Sequence, residues 1–184
     1  MIQHSKMRMA KRGLYMRQAE IIYLSEENIA DFFALATEYL PGSDEEKMRR
    51  RAGRYPRAFV ALVTEGELAG VAFGWPRELD APEDKSFSLD GIAVREPYQR
   101  NGYGRLLLDA FLSAAKGYGY SLVSVGSAGG YVETFYIENG FIPTEYKIYT
   151  ENGIKSVHKF ADLEDYRDYA RPSEDGFVVL ERYL

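Results

Sequence analysis

The stretch VREPYQRNGYGRLLLDAF, residues 94–111, decides the fold, because it places Gly102 and Gly104 directly in front of a leucine-rich helical pattern. Glycine is a poor helix former, yet it tolerates backbone angles that other residues avoid. Two explanations compete. Either the glycines ease a turn from a strand into the helix, or they let an anion approach the main-chain amides that begin the helix.

Phosphate-binding loops provide three patterns with which this stretch can be compared. A Walker A loop ends in Gly-Lys followed by Ser or Thr, and the sequence contains no such run. A dinucleotide-binding fingerprint needs a small residue three positions after its second glycine, where this chain has Leu107. In the third pattern, the amides of residues 101–105 lack helical partners and hold a pyrophosphate beside Arg100 and Arg105. The sequence fits only the third pattern.

A second motif, ETFYIENGF at residues 133–141, follows the next predicted strand. Together the two segments resemble the GCN5-related N-acetyltransferase (GNAT) family, in which a pyrophosphate loop Q/R-x-x-G-x-G/A is followed by a helix bearing an aromatic–Tyr pair and then Gly-Phe. Both motifs stand in the family's order of strand, glycine loop, helix, strand and tyrosine helix. The resemblance is firm over residues 86–143 and looser in the front half of the chain.

The hydrophobic pattern around these motifs predicts an α/β domain. Two β-rich runs, residues 58–63 and 68–75, flank a short turn and predict a hairpin, and a second hairpin is expected to turn at Asn152-Gly153. Ser25 is the predicted N-cap of the first helix. The resemblance implies the GNAT fold, a mixed, mostly antiparallel central sheet flanked by helices, with a central βαβ unit that binds acetyl-CoA.

The resemblance also implies roles for individual residues. The strand edge at Ile92, Ala93 and Val94 would bond the pantetheine arm through its main chain. Tyr136 would lie beside the thioester sulfur and protonate the departing thiolate, with a packed core tyrosine as the structural alternative. The residues expected to hold the pyrophosphate are Gln99, Arg100, Asn101, Gly102, Tyr103, Gly104 and Arg105.

The general base is where the sequence departs from its relatives. Protein N-terminal acetyltransferases of the family carry a glutamate on the strand before the tyrosine helix, and the matching residue here is Ser124. Gly129 replaces the asparagine that often follows that strand. Two candidate bases remain, Asp90 on the central strand and Glu133 one turn before Tyr136. Asp90 can equally be a solvent-facing carboxylate, and Glu133 a surface helix residue.

Composition narrows the chemistry further. Cysteine is absent, which excludes an acetyl-cysteine intermediate and thiolate metal sites, and with only His4 and His158 no metal site is expected. The net charge of −5 argues against a general nucleic-acid binder. No apolar run approaches the length of a membrane span. We therefore expect a cytoplasmic protein without nucleic-acid or membrane partners.

Basic residues are concentrated in two segments. In the first seventeen positions they face no acidic residue, so residues 1–17 are predicted to form a basic, flexible arm and residues 18–184 a single acetyltransferase domain. The second basic segment, residues 49–57, either receives an acidic substrate or forms a solvated helix face paired with Glu45 and Glu46.

The predicted activity is direct transfer of an acetyl group from acetyl-CoA, the cosubstrate, to a primary amine of a small molecule or a protein. A homodimer is compatible with the predicted fold. Two alternatives stay open. The same fold could hold CoA without turnover, as a sensor or partner module, or the glycine-rich segment GSAGGY, residues 126–131, could admit a bulkier acyl group.

Overall fold

The computed structural model describes residues 19–40, 42–81, 83–127, 129–172 and 175–184. Eight strands and five α-helices lie within these residues. The strands are β1 (Ala19–Tyr23), β2 (Phe59–Thr64), β3 (Glu67–Pro76), β4 (Phe87–Val94), β5 (Leu122–Ser127), β6 (Ile142–Thr150), β7 (Gly153–Lys159) and β8 (Gly176–Tyr183). The helices are α1 (Ile29–Tyr39), α2 (Glu45–Arg54), α3 (Tyr103–Gly117), α4 (Tyr131–Glu138) and α5 (Leu163–Asp168).

The strands hydrogen-bond in the order β1-β2-β3-β4-β5-β8-β6-β7. β4 and β5 run parallel and are joined by α3, which forms the predicted βαβ unit. The pairs β1–β2, β5–β8, β6–β8 and β6–β7 are antiparallel. This mixed, mostly antiparallel sheet flanked by helices confirms the predicted fold class.

Both predicted hairpins are present, with one difference in register. β2 and β3 flank a two-residue turn, Glu65 and Gly66, in which both residues have positive φ. In the second hairpin, Thr150 pairs with Gly153, so the turn lies one residue earlier than predicted. The left-handed Gly153 closes the strand pairing and does not form the turn itself.

The predicted start of the first helix is wrong by three residues. Asn28, not Ser25, is the cap position of α1. The side-chain oxygen of Asn28 accepts a hydrogen bond from the Ser25 amide, 2.9 Å, so the two residues form a turn ahead of the helix. Both residue types favour helix starts and turns, and local sequence alone does not separate these roles.

The chain forms two compact units, whose boundaries fall within β3, β4 and α3. The first contains the described residues up to Ala72 together with Ile92–Ala110, and the second contains Phe73–Gly91 and Phe111–Leu184. The single domain expected for residues 18–184 stays a prediction. The basic arm expected at residues 1–17 lies outside the described residues.

Aromatic side chains of α1 and β2 form part of the core of the first unit. The ring of Phe32 lies 5.7 Å from that of Phe33 and 5.9 Å from that of Phe59, and all three side chains are buried. Arg49 of α2 pairs with Glu45 at 2.7 Å, and its guanidinium lies 4.6 Å above the Phe33 ring. For Arg49, these contacts support the paired helix face over a substrate-binding role.

In the second unit, Phe87 fixes the start of β4 against the end of α3. Its ring lies 5.6 Å from that of Phe111, 6.1 Å from that of Tyr118 and 5.1 Å from that of Tyr120. Phe87 is fully buried. The parallel register places Phe87 beside Val123 and Ser88 beside Ser124, which brings two predicted site strands together.

Candidate active site

The candidate site residues of the first unit include the segment between β4 and α3, residues 99–105, which we call the glycine loop. Arg100 and Gly102 both have left-handed backbones, with φ of 60° and 79°. The first helical bonds run from the amides of Arg105 and Leu106 to the Gly102 carbonyl, at 3.1 and 3.2 Å. Among the described residues, the amides of residues 100–104 have no hydrogen-bond acceptor, so the predicted run 101–105 is wrong at Arg105, whose amide is used by the helix.

Two polar side chains of the glycine loop bond to main-chain carbonyls of the loop and of the residues just before it. The Gln99 side-chain amide donates to the Val94 carbonyl at 2.8 Å. The Asn101 side-chain amide donates to the carbonyls of Tyr98, 3.2 Å, and Gln99, 3.1 Å. These bonds shape the loop. Tyr103 is only 4% exposed, so its side chain anchors the start of α3.

The charge around the glycine loop is positive and weakly paired. Arg100 is exposed and makes no ion pair with any described residue. The Arg105 side chain is 73% exposed and lies 3.8 Å from Asp109, a loose surface contact. Two guanidinium groups and the start of a fifteen-residue helix therefore surround the unpartnered amides. This arrangement suits a diphosphate.

The expected pantetheine edge forms the last three residues of β4. Ala93 is buried, whereas Ile92 and Val94 are half-buried. The next amide, Arg95, donates to the Ala69 carbonyl at 2.9 Å, so β3 supports this end of β4. The Val94 carbonyl already accepts from Gln99.

In the second unit, the candidate site residue Tyr136 lies on α4. Its side chain is 4% exposed, and its ring lies 5.3 Å from that of Phe135 and 5.4 Å from that of Phe141. Burial raises the pKa of Tyr136 well above its usual value, so the phenol keeps its proton at neutral pH. The hydroxyl bonds to no described residue. Tyr136 is thus packed as a core tyrosine while its hydroxyl stays available as a donor.

Glu133 had two interpretations, a catalytic base or a surface helix residue. The second interpretation is wrong. Glu133 is only 2% exposed. Arg171 binds both carboxylate oxygens, with Nη1 donating to Oε1 at 3.1 Å and Nη2 to Oε2 at 2.5 Å. The Tyr166 hydroxyl also donates to Oε2, at 2.5 Å. Both oxygens are engaged, which makes Glu133 a poor proton acceptor in this arrangement.

Asp90 and Ser124 differ sharply in exposure. Asp90 is exposed on β4 between two buried neighbours. Ser124 is 6% exposed, and its Oγ lies 2.8 Å from that of Ser86, which in turn donates to Asp84 at 2.6 Å. The Ser124 hydroxyl therefore belongs to a buried polar chain and offers no carboxylate at the family's base position.

Sequence reasoning missed a carboxylate directly opposite Ser124. Glu181 of β8 is its antiparallel partner, so the two side chains share one face of the sheet. Burial, and then the charges of Asp84 and Glu145, raise the pKa of Glu181, while Lys147 opposes the shift. No local sequence pattern marks Glu181, because its place beside Ser124 results from the strand order of the sheet, in which β8 pairs with β5.

Two remaining features of the described residues concern metal-binding groups and helices that could span a membrane. Among them, no group of three or more His, Asp or Glu side chains could hold a metal ion. None of the helices has the combined length and apolar character that crossing a bilayer requires.

Solved structures share this fold at low sequence identity. Ard1 from Thermoplasma volcanium is 17% identical with a TM-score of 0.65, covering 90% of this chain and 97% of its own. Arabidopsis thaliana Naa50, in complex with the bisubstrate analogue CoA-Ac-MVNAL, is 14% identical with a TM-score of 0.66, covering 90% and 99%. The IAA acetyltransferase from Bacillus cereus is 20% identical with a TM-score of 0.58, again covering 90% and 99%.

Two comparisons concern the sequence itself, one with curated proteins and one with family models. No curated protein matches the chain. The model of the acetyltransferase (GNAT) family, in contrast, matches residues 22–141, a range that contains β4, the glycine loop, α3, β5 and α4. The motifs, the strand order and this match agree, and the chain belongs to the GNAT family of acetyltransferases.

Proposed function

We propose that the chain is an N-acetyltransferase that moves an acetyl group directly from acetyl-CoA to a primary amine of a small molecule or a protein. The run of unpartnered amides at residues 100–104, beside the unpaired Arg100, carries the proposal. Family membership supports acetyl transfer in general. The residue roles and the acceptor class go beyond family membership and belong to the proposal.

In this proposal the glycine loop holds the pyrophosphate of acetyl-CoA. The amides of residues 100–104 donate to its oxygens, and Arg100 and Arg105 balance its charge. Gln99 and Asn101 keep the loop in shape through their bonds to the carbonyls of Val94 and Gln99. Ile92, Ala93 and Val94 offer strand-edge groups to the pantetheine arm.

The acceptor amine attacks the thioester carbonyl carbon directly, and with no cysteine in the chain no acetyl-cysteine intermediate can form. The amine must be neutral to attack. A lysine-like amine, with a pKa of about 10.4, costs roughly 4–5 kcal/mol to deprotonate at pH 7. A carboxylate, directly or through water, takes this ammonium proton and passes it to solvent before the attack, and it accepts the second amine proton as the C–N bond forms.

Tyr136 is the proposed general acid. As the C–S bond breaks, its hydroxyl donates to the departing thiolate sulfur and CoA leaves as the thiol. The proton that the amine loses returns to the tyrosinate through the base and solvent, so the net reaction consumes one amine and one thioester. The burial that keeps Tyr136 protonated supports this role.

Asp90 is the proposed base. Asp90 is exposed on β4, where water reaches it, whereas Glu133 is only 2% exposed. Asp90→Asn should lower kcat about 30-fold and flatten the acidic limb of the kcat/KM profile. Glu133→Gln should leave that limb in place. The reverse pattern would make Glu133 the base.

The class of acceptor is tested with a panel. CoA thiol release from acetyl-CoA is measured with polyamines, amino acids, aminoglycosides and short peptides as amines, using Tyr136→Phe as the matched inactive control. Release above that control with at least one amine supports the enzyme. CoA binding with no release favours the sensor module, and faster release from longer acyl-CoA favours a bulkier acyl group.

The proposed location is the cytoplasm, and the proposed partners are amine acceptors and a second copy of the chain. We propose no nucleic-acid or membrane partner. Light scattering at several protein concentrations measures the oligomeric state, and a mass of 21.0 kDa throughout would contradict the dimer.

A further inference from the structure

Helix α4 is poorly supported by its own sequence. It has eight residues, which is short for a stable isolated helix. Gly130 occupies its cap position with no side-chain capping bond. Gly129 and Gly130 both have positive φ, 119° and 73°. Contacts from other segments must therefore fix the helix that carries Tyr136.

The N-terminal turn of α4 is held by charge. Glu133 is anchored by the guanidinium of Arg171 and the hydroxyl of Tyr166, and Arg171 also lies 5.9 Å above the Tyr166 ring. Its hydrogen bond to Glu133 raises the pKa of Arg171. Burial, and then its own hydrogen bond to Glu133, raise the pKa of Tyr166 to about 12. A side chain at Gly129 would approach Arg171 Nη1 to 3.1 Å, so glycine there leaves room for the guanidinium.

The C-terminal turn of α4 is held by a second arginine. Arg182 of β8 donates from Nη1 to the Asn139 carbonyl at 2.6 Å. The Asn139 side chain donates to the Phe135 carbonyl at 2.7 Å, and the Phe141 amide donates to the Tyr136 carbonyl at 3.0 Å. Arginines thus bind both ends of the helix.

The segment that supplies Tyr166 and Arg171 is itself anchored. Asp165 of α5 accepts from His158 Nε2 of β7, 3.0 Å, and from the Ala161 amide, 2.9 Å. The His158 ring stacks on Tyr169 at 4.4 Å. Asp162 caps α5 by accepting from two amides at its start. The residues that grip Glu133 therefore stand on a supported element.

We propose that Tyr166 and Arg171 are positioning residues: by holding Glu133, they fix α4 and thereby the direction of the Tyr136 hydroxyl, three residues further along the same helix. This inference rests on the proposed acid role of Tyr136. It assigns a catalytic purpose to α5 and the residues that follow it, which lie beyond the residues matched by the family model.

The test compares Arg171→Gln and the milder Tyr166→Phe with Arg167→Gln as the matched control. Arg167 lies on α5 and bonds to no described residue. With the best amine of the panel, Arg171→Gln should lower kcat about 10-fold and Tyr166→Phe about 3-fold, each with the KM for acetyl-CoA within about twofold. Arg167→Gln should leave both constants unchanged.

A double-mutant cycle separates positioning from general damage. If Arg171 acts through the Tyr136 hydroxyl, adding Arg171→Gln to Tyr136→Phe costs little further kcat, although each single change is harmful. Fully multiplied losses would overturn the inference. So would an unchanged kcat in Arg171→Gln that stays folded.

Hydrogen exchange tests the hold of Arg171 and Tyr166 on Glu133, which we call the clamp, and it needs no amine substrate. Amides of residues 131–138 should exchange about 10-fold faster in Arg171→Gln and remain unchanged in Arg167→Gln. Equal exchange in both variants would overturn the clamp. A normal rate in Tyr136→Phe would instead overturn the acid role and leave the exchange result to decide the clamp alone.

Discussion

The glycine loop and helix α4 solve the same problem, fixing a short segment in place, by opposite means. The side-chain bonds that brace the loop join residues at most five positions apart, such as Gln99 and Val94. The bonds that hold α4 come from residues 33, 38 and 43 positions away. The loop is therefore a local structure that sequence can predict, whereas α4 depends on the whole order of the sheet.

The two regions also differ in the energy of their contacts. The bracing bonds of the loop are neutral and exposed, and such bonds contribute about 0.5–1.5 kcal/mol each. Glu133 of α4 is a buried carboxylate whose side chain is 3% exposed. Removing its partner leaves a buried charge uncompensated. Changes in the loop should thus affect ligand binding, and changes around α4 should affect rate and stability.

The largest expected effect is on CoA binding. Gly102→Glu should weaken CoA at least about 100-fold, because it forces an L-residue into φ of 79° and adds negative charge where the diphosphate binds. Gly102→Ala meets no atom within 4 Å and should lose only about 5-fold from backbone strain. Isothermal titration calorimetry measures both.

Gly117→Glu is the matched control for added charge, since this exposed position of α3 is also open. It should bind CoA as the unaltered protein does. Equal weakening by Gly117→Glu and Gly102→Glu would contradict a specific role for the glycine loop.

Tyr136→Phe should act on rate and leave binding intact. We expect kcat to fall about 100-fold with CoA affinity within twofold. Burial raises the Tyr136 pKa, so ionisation of this hydroxyl should not reduce kcat below pH 10. A fall of kcat near pH 8 that disappears in Tyr136→Phe would contradict the protonated-acid role.

Loss of stability should distinguish Arg171, which binds Glu133 of α4, from Arg105 of the glycine loop. Arg171→Gln should lower the free energy of unfolding by about 2 kcal/mol, less than for a fully buried pair because the Arg171 side chain is 33% exposed. Arg105→Gln removes only an exposed pair and should cost under about 0.5 kcal/mol. Denaturant titrations give both values. Similar losses would remove the contrast between the two regions.

The smallest expected effect concerns Glu181. Its pKa is raised in the folded state, so the folded protein binds the proton more tightly and stability falls as pH rises past the unfolded pKa. Glu181→Gln should raise Tm at pH 7 by roughly 1–2 °C, a small gain because Glu181 is only partly buried. The gain should shrink as pH is lowered towards 4. A loss of Tm at pH 7 would show that the charge is stabilising.

Sequence reasoning succeeded where structure is local. The hairpin of β2 and β3, a helix next to the glycine pair and the βαβ order are all encoded by neighbouring residues, although α3 begins at Tyr103, ahead of Gly104. It failed for Glu133, whose exposed-helix interpretation rested on charge alone. Burial of that carboxylate depends on Arg171, which strand order and α5 bring to it. The pairing of Ser124 with Glu181 was hidden for the same reason, because β8 lies between β5 and β6.

The central claim is that main-chain amides of the glycine loop hold the diphosphate of CoA. Amide chemical shifts measured by NMR during titration with CoA, and separately with pantetheine, test this most directly. We predict that CoA shifts the amides of residues 100–104 more than any others in the first unit, and that pantetheine, which lacks the diphosphate, leaves them unmoved. Saturation with CoA while these amides stay unchanged would contradict the account.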